Sequence, residues 1–171
     1  NTIDAQDIDC TNTNIFIANT LGRSLNKYDL KLNLKKKYRL DILSSDRRVQ
    51  IKTVYTDQNK FIYTATFDNF KIFKFDKNLK LLRKFNLRNY KKHMRVLRSI
   101  AIDHRNKDKI FLLNRGKKPI WIYSFSKNKV LKKKNFTKNG FSLRNPTSIS
   151  MFKKNLFICD KENDRIIKAK Q

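Results

Sequence analysis

The chain has 171 residues and carries 41 Lys and Arg against 14 Asp and Glu, a formal net charge of +27. That length suits about one domain, which buries roughly two-thirds of the surface its unfolded form would expose. No run of 18 apolar residues occurs, no signal-peptide pattern is present, and the two cysteines form neither a metal-ligand spacing nor a disulfide framework.

Glu162 is the only glutamate, so the basic excess reflects selective loss of acid as well as gain of lysine. An excess of this size produces a potential of several kT and calls for an anionic partner. Nucleic acid comes first and an anionic membrane surface second; the plain alternative is a solvated, lysine-rich surface. The chain is expected to be soluble. It begins at Asn1, which suggests processing, truncation or an upstream part. An intracellular or organellar ribonucleoprotein setting fits it better than secretion.

Short apolar runs follow one another in chain order. The first group is AQDIDC at Ala5, NIFIANT at Asn14, SLNKYDL at Ser24 and KKYRLDIL at Lys36. The second is IKTVYT at Ile51, FIYTATF at Phe61, FKIFKFD at Phe70 and KLLRKFNL at Lys80. The third is RSIAID at Arg98, KIFLLNR at Lys109, PIWIYSFS at Pro119 and KVLKKKNF at Lys129. The fourth holds three runs, PTSISMF at Pro146, NLFICDK at Asn155 and RIIKA at Arg165.

Ile15, Ile62, Ile110 and Leu156 recur at intervals of about 46 to 48 residues, a spacing typical of propellers and solenoids. Four short strands per unit, lettered A to D, describe propeller blades whose B strands are covered on both faces. The fold class expected is all-β: a β-propeller of four-stranded antiparallel blades. It forms a single domain over 1–171, with blades at roughly 1–44, 45–88, 89–137 and 138–171, the last incomplete. A closed ring needs at least four blades. The chain is therefore either a four-bladed ring with a short last blade or part of a larger ring completed by further chain or a second copy. With only three glycines, Asn is expected wherever a turn needs positive φ.

The residues Pro146, Thr147, Ser148 and Ile149, then Leu156 to Asp160, then Asn163, Arg165 and Ile166 resemble the NHL repeat of β-propellers. Ala18-Asn19-Thr20, Gly22-Arg23 and Lys27-Tyr28-Asp29 are similar to it in a looser form, and the two middle groups keep the apolar frame alone. The resemblance implies a binding platform for RNA or protein. In a minority of related propellers it implies a metal-dependent lyase or esterase.

Such an enzyme would need histidines and carboxylates converging on a metal, and only His93 and His104 are available, both in loops. No catalytic residue, metal or cofactor is therefore expected. Cys159 aligns with Ala18, Ala65 and Leu113, which places it in a slot for a buried residue. Cys10 ends the first A strand. The column Asn19, Thr66, Asn114 and Asp160 is expected to cap amides of the B-to-C loops, and Trp121 to lie in the core.

In a propeller the B-to-C loops and the D-to-A crossovers open on one face. The B-to-C loops bring Arg23, Arg115, Lys117, Lys118, Lys161 and Arg165 there, and the crossovers add Arg47, Arg48, Arg88, Lys91, Lys92, Arg95, Lys138 and Arg144. Arginine forks suit phosphate. Phe67, Tyr90 and Phe141 lie in the same loops as candidates for stacking on unpaired bases. Lys35 to Lys37, Arg83 with Lys84, and Lys132 to Lys134 form a basic rim on the outer strands. The function expected is a non-enzymatic scaffold that binds RNA or sits in a ribonucleoprotein. The alternative is a scaffold docking on an acidic protein or an anionic envelope.

Overall fold

The computed structural model describes residues 4–40, 50–57, 60–66, 70–90, 92, 96–103, 105–106, 108–115, 118–134 and 142–170. Fifteen strands, β1 to β15, account for nearly all of the regular structure among them, in four antiparallel sheets. Two single 3₁₀ turns, Arg88–Tyr90 and Lys161–Asn163, interrupt them. Among the described residues no helix is long and apolar enough to cross a membrane. The chain divides into two compact units at Asn89/Tyr90, between the second and third sheets.

The first unit holds β1 (Ala5–Cys10), β2 (Asn14–Asn19), β3 (Ser24–Asp29) and β4 (Leu34–Arg39), paired in that order. It then repeats the design as β5 (Ile51–Asp57), β6 (Phe61–Thr66), β7 (Lys71–Asp76) and β8 (Leu81–Asn86). Phe16 and Ala18, on one face of β2, and Leu25 on β3 pack with Val54, Ile62, Phe73 and Phe75 of the second sheet. The neighbours Ile15 and Ile17, on the other face of β2, are only half-buried, as strand alternation requires when one side is covered. The edge of the Tyr38 ring meets Phe75 with centroids 4.9 Å apart. Along the inner strands Asp7 accepts from the Thr53 hydroxyl at 2.6 Å and the Val54 amide at 2.9 Å, and Asp9 accepts from the Thr56 amide at 2.6 Å. Carboxylates thus pin the two inner strands where both sheets would otherwise leave amides unpaired.

The second unit holds β9 (Leu97–Ile102), β10 (Lys109–Asn114), β11 (Ile120–Ser124) and β12 (Lys129–Lys134). A three-stranded sheet follows, of β13 (Pro146–Phe152), β14 (Asn155–Asp160) and β15 (Arg165–Lys170). Every residue of β10 from Ile110 to Asn114 is buried, and so is every residue of β11. Trp121 is among them, as expected of a core residue. In β14 burial alternates: Leu156, Ile158 and Asp160 are inside, Phe157 is half-buried and Cys159 is exposed.

The exposure of Cys159 corrects the expectation that it fills a buried slot. It shares a register position with Ala18, but the sheet of β14 packs against the third sheet through the opposite face, the one carrying Leu156 and Ile158. Cys10 is exposed as well, and both thiols are free.

The repeat extends to irregularities. Each A-to-B pair slips register near the start of the A strand, at Ala5/Asp7, Ile51/Thr53, Leu113/Asn114 and Pro146/Ser148. Each C-to-D pair slips once as well, at Lys27/Tyr28, Lys74/Phe75 and Ile122/Tyr123. Bulges at fixed places increase local twist, so these are features of the blade design.

The turns correct a second expectation. Among the described non-glycine residues at positive φ only Asn128 is an asparagine; the others are Asp4, Arg23, Leu32, Phe70, Leu79, Lys153 and Asp164. In the first two C-to-D turns the strain is held by aspartate. Asp29 accepts from the amides of Lys31 and Asn33 around Leu32, and Asp76 accepts from those of Asn78 and Lys80 around Leu79. Hydrogen bonds from both sides over-determine the turn and keep a leucine in the left-handed region.

Candidate nucleic-acid interface

One end of the blades is built from the ends of the B strands and the starts of the A strands, and side-chain and backbone bonds tie the two together. The Thr20 hydroxyl donates to the Ile51 carbonyl at 2.5 Å. The Arg115 amide donates to the Val96 carbonyl at 2.9 Å, and the Lys161 amide to the Asn145 carbonyl at 3.2 Å. B-to-C loops and crossovers therefore open together, as the strand order implies.

The polar column at the ends of the B strands does two jobs. Asn19 accepts from the Gly22 amide at 2.9 Å and Thr66 from the Lys71 amide at 3.1 Å, both within their own B-to-C loops. Asn114 instead accepts from the Val96 amide at 3.2 Å, and Asp160 from the amides of Arg144 and Asn145 at 2.9 and 3.3 Å. In the second unit this column holds the crossovers, a role the sequence alignment of the B strands did not expose. Gly22 is required by close approach: a Cβ there would lie 2.6 Å from the Asn19 side chain.

In the first unit, Arg23 is half-buried at φ 47°, with its amide bonded to the Thr20 carbonyl, and Arg88 is exposed in its 3₁₀ turn. In the second unit, Lys92, Arg115, Lys118, Arg144 and Lys161 are all exposed at the loop end. Arg165 differs: it pairs with Asp160 at 3.1 Å and donates to the Ser142 carbonyl at 3.0 Å, bracing the loop beside it. Tyr90 sets its ring edge-on to Trp121 at 5.8 Å and accepts from the Val130 amide at 3.1 Å. The Trp121 indole donates to the Lys118 carbonyl at 2.7 Å, so the Tyr90 and Lys118 loops are braced on one aromatic pair. Arg47, Arg48, Lys91, Arg95, Lys117, Lys138, Phe67, Phe141, His93 and His104 lie outside the described residues. Among those described, no group of histidines, cysteines and carboxylates could hold a metal ion.

Many of the carboxylates are engaged by backbone amides. Asp7, Asp9, Asp29, Asp76, Asp103, Asp108 and Asp160 each accept at least one backbone amide. Hydrogen bonds from Asn33 and Lys35 hold Asp29 well below the usual carboxylate range. The Lys80 amide lowers Asp76. Burial alone would push Asp108 and Asp160 up, but hydrogen bonds outweigh it and both are lowered. The donors are Ser124 and Ser126 for Asp108, and Asn163, Arg144, Asn145 and Arg165 for Asp160. Asp7 is the exception: burial raises it despite its donors. At the loop end only Asp4, Glu162 and Asp164 are exposed acids among the described residues.

On the outer strands Lys35, Lys36, Lys37, Arg83, Lys84 and Lys132 are exposed. Lys35 pairs with Asp29 at 2.9 Å, and Arg83 lies 5.1 Å from the Phe85 ring centroid. The basic rim is present on three blades.

No family model matches the chain, and no curated protein does. Solved structures do. The chain superposes on the structure of U3-55K with a TM-score of 0.65 at 9% identity, covering 98% of this chain and 52% of that one. It superposes on the β-propeller domain of Cps50 (Swd1) of Myceliophteria thermophila with a TM-score of 0.68 at 13% identity, covering 98% and 54%. The fold is thus the all-β, antiparallel architecture of a β-propeller, and the chain spans about half the length of these two structures. The likeness is to propellers in general, and the NHL label rests on the sequence pattern alone.

Proposed function

We propose that this chain is a non-enzymatic binding scaffold that engages RNA, alone or within a ribonucleoprotein, through the arginines and lysines at the loop end of its blades. The observation that carries this reading is the asymmetry of charge use. Seven aspartates are engaged by backbone amides, while Lys92, Arg115, Lys118, Arg144 and Lys161 stand exposed. Their heads are free to meet phosphates, and Arg23, Arg88 and the basic residues at 47, 48, 91, 95, 117 and 138 extend the set. Phe67, Tyr90 and Phe141 are the stacking candidates, and Tyr90 is held by its contacts with Trp121 and the Val130 amide. Within this reading the last blade is an NHL-type repeat whose Asp160, Asn163 and Arg165 build its loop.

The test is a salt titration of binding to single-stranded RNA. If the five exposed cations of the second unit each neutralise one phosphate, log K should fall against log salt with a slope of roughly −3.5, from about 0.7 per phosphate on single strands. An affinity independent of salt, or no binding at low salt, rejects the proposal. In native extracts, nuclease should release the protein; retention on its partner after nuclease treatment would favour docking on an acidic protein.

A further inference from the structure

The A strands of the first two blades slip register at their starts, and the residues left out of the pairing are Gln6 in β1 and Lys52 in β5. Such a bulge re-aims the side chain it frees. Here both side chains reach one place: the Lys52 ammonium donates to the Gln6 side-chain carbonyl at 2.6 Å, and the Gln6 amide nitrogen donates to Asp4 Oδ1 at 2.5 Å. A cation on one side and a carboxylate on the other settle the orientation of the Gln6 amide.

Asp4, Gln6 and Lys52 line a cavity of about 200 Å³ at the loop end of the first unit, with Thr20, Leu21 and Gln50 as its other walls. Its frame is held from two sides. The Thr20 amide donates to the Asp4 carbonyl at 3.0 Å and its hydroxyl to the Ile51 carbonyl at 2.5 Å, so one buried residue ties the starts of both A strands. Leu21, 61% exposed, adds an apolar surface.

Asp4 is out of keeping with a surface that meets phosphate alone. The cations of the loop end attract a phosphate backbone, and a carboxylate among them opposes it. An ionised carboxylate only accepts, so its ligand must offer N–H groups. Among the described residues Oδ2 of Asp4 takes no bond, and Oδ1 takes one of the two it can accept. The Lys52 ammonium has three donors and gives one to Gln6. The cavity therefore presents a double acceptor and a cationic donor, joined by a fixed amide. Of the RNA bases, guanine alone sets two neighbouring donors, N1–H and the 2-amino group, beside an acceptor, O6, on its Watson–Crick edge. Adenine and cytosine offer a carboxylate one amino group, and uracil offers one imino proton between two acceptors.

We infer that this cavity is a subsite that reads an unpaired guanine, with the Asp4 carboxylate on N1–H and the 2-amino group, the Lys52 ammonium on O6, and Leu21 against the base. Gln6 is a positioning residue that holds Asp4 and Lys52 in register with each other. The inference rests on the RNA reading of the loop end and adds base preference to it: phosphate contacts position a strand and base contacts specify it.

The experiment measures binding of the full chain to fluorescent oligouridines carrying a central guanine, adenine, cytosine, hypoxanthine or uracil, at one fixed salt concentration. The guanine strand should bind about tenfold more tightly than the others, and hypoxanthine, which lacks the 2-amino group, should lose most of that advantage. Asp4→Asn suits the same left-handed backbone, φ 60°, and keeps an acceptor for Gln6. It should erase the preference for guanine while affinity for plain oligouridine stays level or rises. The ratio of guanine to uracil affinity should also fall in Lys52→Met, so the test survives if one variant does not fold. The inference is overturned if another base binds as tightly as guanine, or if both variants keep the preference. Salt-dependent binding indifferent to the central base rejects the subsite and leaves the RNA reading standing; binding to none of the strands at low salt rejects both.

Discussion

Two leucines in left-handed turns separate backbone strain from side-chain packing. Leu32 is 67% exposed and Leu79 is 1% exposed, yet both sit at positive φ in turns clamped by an aspartate. Relief of the left-handed penalty is worth about 1–2 kcal/mol and the extra chain entropy of glycine costs about 0.5–1 kcal/mol. Leu32→Gly should therefore raise stability by roughly 0.5–1 kcal/mol, while Leu79→Gly, which removes a buried side chain, should lower it by about 2–3 kcal/mol. Denaturant unfolding of both variants checks the pair. Asp7 gives a second prediction. Burial raises its folded-state pKa above 3.8, so the folded protein binds this proton more readily than the unfolded chain does. Its contribution to stability grows as pH falls through the raised value. Asp7→Asn keeps an acceptor for the Val54 amide and should remove that local gain, which thermal melts between pH 7 and 4 would show.

The four sheets reuse one blade plan, and the loops at their ends decide what each sheet adds to it. In the last blade a single buried carboxylate, Asp160, holds two crossover amides, a side-chain amide and the Arg165 guanidinium. Asp160→Ala leaves these donors without their acceptor and should cost about 3–5 kcal/mol, with faster amide exchange across residues 142–145. Asp160→Asn should cost less. The strands themselves were legible: spacing of the apolar runs placed all fifteen of them and the Trp121 core. Three things were not. The side of β14 left open depends on which sheet packs against it, so the alignment of Cys159 with Ala18 could not tell burial from exposure. The leucines at positive φ carry no propensity signal, and only the amide bonds of the preceding aspartates explain them. Asn114 and Asp160 look like loop caps in sequence, but their acceptors reach across to another loop, a contact that strand periodicity does not encode. The basic loop residues were named from topology alone, while the restraint on Arg165 and Tyr90 emerged only from their side-chain partners.

At the level of the whole chain, the charge of +27 sets the behaviour more than any single site does. Replacing Arg115, Lys118 and Arg144 together by glutamate should weaken RNA binding by at least about tenfold and flatten the salt slope. The same change at Lys153 and Lys154, exposed in the turn between β13 and β14, should do much less; equal losses would mean diffuse attraction without a preferred face. Stability should collapse in acid for a related reason. The lowered aspartates 29, 76, 108 and 160 contribute stability that is complete above the unfolded value of 3.8 and is lost as pH falls through their folded values.

A protein ordinarily adjusts its charge when a polyanion approaches, by taking up or releasing protons at groups that titrate near neutrality. Here only two histidines are available, and hydrogen bonds hold the carboxylates of Asp29, Asp76, Asp108 and Asp160 in the ionised form. Electrophoretic mobility should accordingly stay flat from about pH 5 to 9. The molecule behaves as an object of fixed charge, whose grip on a polyanion responds to ionic strength and hardly at all to acidity.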